Sequence, residues 1–218
     1  MLDNILTWDR EATLFVNGSD NVYFDQIIYY ATSTWSWVPL GVVLLWLLWK
    51  NLSPSQFGLA ILCLSVAVII SNELSSSVFK PLFQRWRPTQ DPVYMYMVDV
   101  VHNYRGGRFG FFSAHASNTF SVATFLAYLF RHKWLNVWIV SWAMVNCYTR
   151  LYLGVHYLGD VLVGTCFGVM IGYAMAYLFR KFAKVDVPIF EKKSVHLFLC
   201  AILASYCLVF IVAAISFL

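Results

Sequence analysis

Charge is scarce in this chain. Only 12% of its 218 residues are Asp, Glu, Lys or Arg, while 60% are hydrophobic; a soluble domain carries about 25% charged residues. The shortage excludes an ordinary water-soluble domain and puts the chain among membrane proteins. The net charge of +4 comes from bases scattered between apolar runs. No stripe of Lys and Arg crosses a polar face, so a nucleic-acid partner is not expected. Paired cysteines are also missing. Cys63, Cys147, Cys166, Cys200 and Cys207 sit singly inside apolar runs, without a CxxC spacing. They read as small packing residues, not as a disulfide framework or a zinc site. The first residues carry Asp3, Asp9 and Glu11 where a cleavable signal would have a basic start, so none is expected. There is no low-complexity tract, no long internal repeat, and no acidic cluster of the kind that holds Mg²⁺.

Long apolar runs are what the chain has in excess. A helix needs about 20 mostly apolar residues to cross the hydrocarbon core. Six stretches qualify, roughly 27–49, 56–79, 110–130, 134–152, 157–179 and 195–217. The expected fold is all-α: an integral membrane bundle of six transmembrane helices, one domain over residues 1–218. The third stretch is the weakest, because it starts polar. Residues 2–16 differ from the rest. Leu2, Ile5, Leu6, Leu14 and Phe15 recur at near-helical spacing among acidic residues, and Asn17-Gly18 then stops the helix. This predicts an amphipathic helix lying on the membrane surface. Links are short except near 80–109, which holds Lys80, Arg85, Arg87, Arg105 and Arg108 with Pro81, Pro88 and Pro92. Long ordered loops are often functional. Gly164, Gly168 and Gly172 are four apart in the fifth stretch, which favours close helix packing inside the bundle over a dimer contact.

Three polar clusters sit at span ends. The third cluster, Thr149-Arg150, His156 and Asp160, is the most informative. His156 and Asp160 are four apart at a helix start, so they share a face. A carboxylate there can accept a proton from one imidazole nitrogen, fixing the tautomer and leaving the other nitrogen free. A histidine so held is a candidate nucleophile; the competing reading is a pair that bridges helices. The second cluster is Phe112-Ser113-Ala114-His115. A helix start is an anion site, the Ser113 hydroxyl can add a donor, and His115 can give a proton to a leaving oxygen. Plain helix capping is the alternative there. The first cluster runs from Lys80 to Arg87-Pro88. Arg87 offers a planar fork and Lys80 a point charge; alone, such bases mean headgroup contact, most of all Arg85. With six spans all three clusters share one side of the membrane. Lys80, Arg87 and Arg150 can then surround one tetrahedral anion beside two histidines, as phosphoryl transfer requires. Glu73, seven residues before Lys80, falls near the same helix face. An ion pair and a substrate contact are both open for it. His102, His132 and His196 read as interfacial.

At these residues the chain resembles the type-2 phosphatidic acid phosphatase (PAP2) family, whose pattern is K-x6-RP, PSGH and SR-x5-H-x3-D. Lys80, Arg87 and Pro88 match the first motif, and Arg150, His156 and Asp160 keep the spacing of the last. Phe112 stands for Pro, Ala114 for Gly and Thr149 for Ser. Ala114 keeps its N–H but disfavours positive φ. The resemblance covers most of the chain and implies roles. His156 would attack phosphorus, with Asp160 orienting it. His115 would protonate the departing oxygen and then activate water. Lys80, Arg87, Ser113, the Ala114 N–H and Arg150 would hold the phosphate, with no metal and no cofactor.

The function expected is therefore a lipid phosphatase acting through a phosphohistidine. Undecaprenyl pyrophosphate is the first substrate expected, followed by phosphatidylglycerophosphate, phosphatidic acid and lipid A phosphates. A lipid-to-lipid phosphotransferase would keep the same intermediate. A channel or transporter, with His156, Asp160 and Glu73 as an ion path, leaves the K-x6-RP and Arg150 spacing unexplained. The family also resembles vanadium-dependent haloperoxidases in its anion site, but those are soluble. Orientation follows from charge. One side carries Lys50, Arg131, Lys133, Arg180, Lys181, Lys184, Lys192 and Lys193, and the other Arg10, Lys80, Arg85, Arg87, Arg105, Arg108 and Arg150. Setting aside Lys80, Arg87 and Arg150 as chemistry, the first side is the more basic. The site is expected to face the periplasm or another extracytoplasmic space.

Overall fold

A computed structural model describes residues 2–184 and 192–217, apart from the side chains of Leu2, residues 192–195 and Phe217. The charges expected at Lys192 and Lys193 lie outside the described side chains. The described residues form helices α1 (Leu2–Val16), α2 (Val22–Ala31), α3 (Val38–Asn51), α4 (Pro54–Glu73), α5 (Lys80–Phe83), α6 (Ala114–Phe130), α7 (Lys133–Tyr152), α8 (Leu158–Ala183) and α9 (Lys192–Phe217). No strand occurs among them, only an isolated antiparallel bridge between Trp86 and Phe109.

The all-α fold is as expected, and the count of six spans is not reached by length and composition alone. Three helices are long and apolar enough to cross a membrane: Pro54–Phe83, Leu158–Ala183 and His196–Ser216. A fourth candidate is the pair Val22–Ala31 and Thr34–Asn51, bent by 67°. The first expected span, 27–49, is thus a broken one. The break falls at Thr32-Ser33, and side chains take up the carbonyls it frees. Ser36 Oγ donates to Tyr30 O at 2.7 Å and Trp37 Nε1 to Ala31 O at 2.8 Å. α6 and α7 also form where helices were expected. α6 is 17 residues long, its start made polar by the site it serves.

Two features set register. A wide π turn at Leu74–Phe79 joins α4 to α5. Such a turn adds a residue to the helical count, so residues seven apart across it do not share a face. Glu73 points outward, where it accepts the Ser77 hydroxyl at 2.6 Å, and no described ion pair includes it. The expectation that it shares a face with Lys80 is corrected. The second feature is the contact between α6 and α8. A Cβ on Gly164 would stand 2.5 Å from Ser113 O, and one on Gly168 2.5 Å from Ser117 O. The glycine spacing therefore serves packing inside the bundle, as expected. The cysteine reading needs correction: all five are free, but only Cys63 and Cys147 are buried, and Cys166, Cys200 and Cys207 lie on the outer surface.

α1 is inverted relative to a helix on a soluble protein. Its buried residues are Asp9 and Thr13, while Ile5, Trp8 and Phe15 are exposed. That layout suits a helix whose outer face meets lipid. The link after α5 folds back on itself: Arg87 N–H donates to Arg108 O at 3.1 Å and Gly110 N–H to Arg85 O at 2.8 Å. At the far end Gln56 Nε2 donates to Ala183 O at 3.2 Å, joining the start of α4 to the end of α8.

Candidate active site

The third cluster forms where α7 turns into α8. Gly154 takes a left-handed φ of +61° and makes the turn. His156 follows, 2% exposed, and Asp160 sits in the first turn of α8, fully buried. Asp160 Oδ2 accepts the Tyr157 N–H at 3.0 Å, and Oδ1 accepts Arg85 Nη1 at 2.8 Å. His156 Nδ1 faces Asp160 Oδ2 at 3.5 Å, too long for a good hydrogen bond, with the Gly110 backbone as its other polar neighbour. On the other side Arg87 Nη1 lies 3.2 Å from His156 Nε2. The same guanidinium donates to Val155 O at 3.0 Å and Phe109 O at 3.1 Å, which fixes its plane. A guanidinium can only donate. His156 Nε2 is therefore the acceptor, and the ring proton belongs on Nδ1, facing Asp160. Burial pushes the His156 pKa well below its ordinary value, and the charges of Arg87, Arg150 and Lys80 push it further. The imidazole is neutral at physiological pH.

The other expected residues gather around this pair. Arg150, 1% exposed, puts Nη1 3.4 Å from Tyr104 Oη and 3.5 Å from His115 Nε2, and Nη2 bonds Thr32 Oγ1. Its Nε has no partner. Ser113 caps α6, its hydroxyl accepting the Ala116 N–H at 3.4 Å, while its own N–H donates to Asp160 O at 3.0 Å. The capping reading of Ser113 thus holds. Ala114 is the first residue of α6, so its N–H belongs to the unpaired first turn. Lys80 Nζ lies 3.4 Å from Ser76 Oγ, within electrostatic reach of His156. Thr149 turns away and pairs with Thr32 at 3.1 Å.

Arg85 is where sequence reasoning failed. It reads as the base most clearly meant for headgroups, yet it bridges Asp160 and Asp9 of α1. Asp9 Oδ1 also accepts the Gly159 N–H at 2.6 Å, and Thr13 Oγ1 accepts the Leu158 N–H at 2.9 Å. The surface helix therefore caps α8. Nothing in the sequence signals this, because the partners lie 75 and 76 residues from Arg85 along the chain. Tyr104 and Thr32 were missed for the same reason. Of the remaining histidines, His102 packs on the Tyr29 ring, with 4.9 Å between centroids, and His132 caps α7. Among the described residues no group of His, Cys, Asp and Glu is placed to hold a metal ion.

A family model described as the PAP2 superfamily matches residues 58–184. The chain is 34% identical over 194 residues to a lipid A 4'-phosphatase of Bacteroides thetaiotaomicron, covering 87% of this chain and 86% of that protein. It is 33% identical over 183 residues to a lipid A 4'-phosphatase of Porphyromonas gingivalis, covering 83% and 77%. No solved structure matches the chain.

Proposed function

This chain belongs to the PAP2 superfamily and is a membrane lipid phosphatase; from that premise we propose that it hydrolyses a phosphomonoester of the lipid A class through a phosphohistidine on His156. The observation that carries the reading is the setting of His156: buried, neutral, with Nε2 against Arg87 and Nδ1 toward Asp160. The relatives' names support the substrate class. Undecaprenyl pyrophosphate, the first expectation from the sequence, has no counterpart in those names and enters the test as a competitor.

The reaction takes two steps. His156 Nε2 attacks phosphorus in line while the bond to the lipid oxygen breaks. Arg87, Arg150 and Lys80 neutralise the equatorial oxygens. The Ala114 N–H, at the positive end of α6, adds a donor. His115, 3.5 Å from Arg150, takes the proton of the substrate's phosphate monoanion on binding and, as the imidazolium, gives it to the departing oxygen. As His156 becomes cationic, its Nδ1 proton closes on Asp160, whose charge Arg85 holds in place. A water then gives a proton to His115 and attacks phosphorus. The P–N bond breaks, phosphate leaves and His156 is neutral again. No step calls for a metal. The described bases Lys50, Arg131, Lys133, Arg180, Lys181 and Lys184 flank the end opposite the site, against Arg10, Arg85, Arg105 and Arg108 at the site's end once Lys80, Arg87 and Arg150 are set aside as chemistry, so the positive-inside rule favours a site facing outward.

Purified protein is given lipid A, undecaprenyl pyrophosphate, phosphatidic acid and phosphatidylglycerophosphate, and free phosphate is measured. Fastest release from lipid A, at its 4'-phosphate, is expected. Faster release from undecaprenyl pyrophosphate would overturn the substrate assignment. A newly phosphorylated lipid in place of free phosphate would make the enzyme a phosphotransferase.

A further inference from the structure

Tyr104 has no part in the reaction above, yet it stands inside the site. It lies on the long link between α5 and α6, directly after the turn Val101–Asn103, and its N–H donates to Val101 O at 2.9 Å. Its ring packs against a small apolar cluster of Ile28, Val101, Tyr152, Leu153 and Val155. Val155 immediately precedes His156, so the ring is anchored to the same core as the turn that carries the nucleophile. From that seat the side chain reaches two guanidinium groups. Arg150 Cζ lies 5.6 Å from the ring centroid and Arg150 Nη1 lies 3.4 Å from Tyr104 Oη. Arg87 is within electrostatic reach of the same hydroxyl.

The direction of the hydrogen bond to Arg150 decides what the phenol can do. A guanidinium donates and never accepts. Tyr104 Oη is therefore the acceptor, and its own proton is left over. Among the described residues Arg150 is the hydrogen-bond partner of this hydroxyl, and no acceptor takes the proton. Thr32 holds the other edge of the guanidinium through Nη2 and accepts from it likewise, but it also pairs with Thr149. Tyr104 is half-buried and lines a cavity of about 370 Å³ together with His115 and Arg150. Its O–H can turn toward whatever occupies that space. The surroundings call for an anion there. Arg150 Nη1 lies 3.4 Å from the phenol oxygen and 3.5 Å from His115 Nε2. Phenol and imidazole thus flank one cationic nitrogen, and a phosphoryl group beside it is in reach of both. That is the side from which the lipid oxygen departs, because His115 is its acid.

We propose that Tyr104 is a further catalytic residue: its hydroxyl, held at the oxygen by Arg150, donates to a phosphoryl oxygen on the His115 side. The inference rests on the lipid-phosphatase reading. Arg150, only 1% exposed, then acts on the phosphate partly through this phenol. A donor fixed in advance accelerates a reaction when it fits the transition state's arrangement of oxygens better than the substrate's. The apolar seat of the ring supplies that fixity.

Tyr104→Phe keeps the ring in its seat and removes only the hydroxyl. Full-length protein in phosphatidylcholine nanodiscs is assayed with lipid A. Lys80 and Arg87 remain around the phosphate, so kcat is expected to fall about tenfold or more, at the low end of the loss of one such donor, while KM stays within about twofold. The inhibition constant of vanadate, which takes the five-coordinate geometry of the transition state, should rise with the fall in kcat, and that of inorganic phosphate should move less. A merely structural loss would weaken both anions alike and lower the unfolding temperature. Equal weakening of the two anions, or an unchanged kcat, overturns the contact. A ring-fluorinated tyrosine at position 104 separates contact from mere support of Arg150. Fluorine makes the phenol a stronger donor and a weaker acceptor. Contact predicts tighter vanadate binding at neutral pH, read by calorimetry; unchanged or weaker binding overturns it. Calorimetry also separates the inference from the enzymatic reading. Vanadate binding that Tyr104→Phe weakens, in a protein that releases phosphate from no lipid, supports the contact and sinks the phosphatase reading. Lipid hydrolysis that Tyr104→Phe leaves intact sinks the contact alone.

Discussion

His156 stands between a cation and a carboxylate, and the two act on different nitrogens. Arg87 holds Nε2 as an acceptor, and Asp160 waits for the charge that forms on attack. The pH dependence follows with a definite sign. Above the ordinary histidine value of 6.5 the ring is neutral folded and unfolded. As pH falls through that value the unfolded chain takes a proton that the folded chain refuses, so stability declines from there downward. The same refusal protects the nucleophile. The acid limb of kcat/KM, which reports the free enzyme, is expected below 6.5; a limb centred at or above 6.5 and assigned to His156 would contradict its burial. His115 has a separable part. A pyrophosphate leaves well without a proton, so His115→Ala should cost a lipid monophosphate far more than a lipid pyrophosphate, measured as the ratio of kcat values. Equal losses would remove His115 from the role of acid. His156, Asp160 and Arg150 were legible in the sequence through their motif spacing, although His156 precedes α8 and does not share a helix face with Asp160 as expected; the link between α7 and α8 brings the three together. Arg85 was not, because its meaning depends on two acids brought to it by the fold.

α1 and α8 form a unit that the pattern of apolar residues does not announce. Asp9 and Thr13 supply acceptors to two N–H groups at the start of α8, and Asp9 also holds Arg85. Removing either cap by Asp9→Ala or Thr13→Ala should cost about 0.5–2 kcal/mol, the usual worth of an N-cap, read as a lower unfolding temperature in detergent. Arg85→Ala should cost more, roughly 3–5 kcal/mol, since it strands a buried carboxylate. Because these residues act through Asp160 and His156, kcat should fall while KM changes little. Loss of KM alone would mean that α1 serves lipid capture and not the alignment of α8. The helices themselves were largely readable: α7 and α8 begin and end within a few residues of expectation, and the glycine spacing correctly announced packing of α8 on α6. The break at Thr32-Ser33 falls in a run of small polar residues, Thr32-Ser33-Thr34 and Ser36, a local signal that the overall hydropathy of the stretch hides. Tertiary bonds hold the break as well, since Arg150 and Thr149 both bond Thr32.

The molecule as a whole has two ends of different chemistry. One carries α1, the folded-back link and every expected phosphate ligand; the other carries Lys50, Arg131, Lys133, Arg180 and Lys184 around the contact of Gln56 with Ala183. Single cysteines placed at Arg105 and at Ser55, with the native cysteines replaced, report the orientation in intact cells whose outer membrane, if present, has been made permeable. A membrane-impermeant thiol reagent should label residue 105 and spare residue 55; the reverse would place the substrate in the cytoplasmic leaflet. The account as a whole depends on a bond between phosphorus and His156. Rapid-quench trapping with a lipid substrate labelled in its phosphate tests that bond. The account predicts an acid-labile, alkali-stable label on the peptide holding residue 156, absent from His156→Ala, and label persisting in His156→Ala would contradict it.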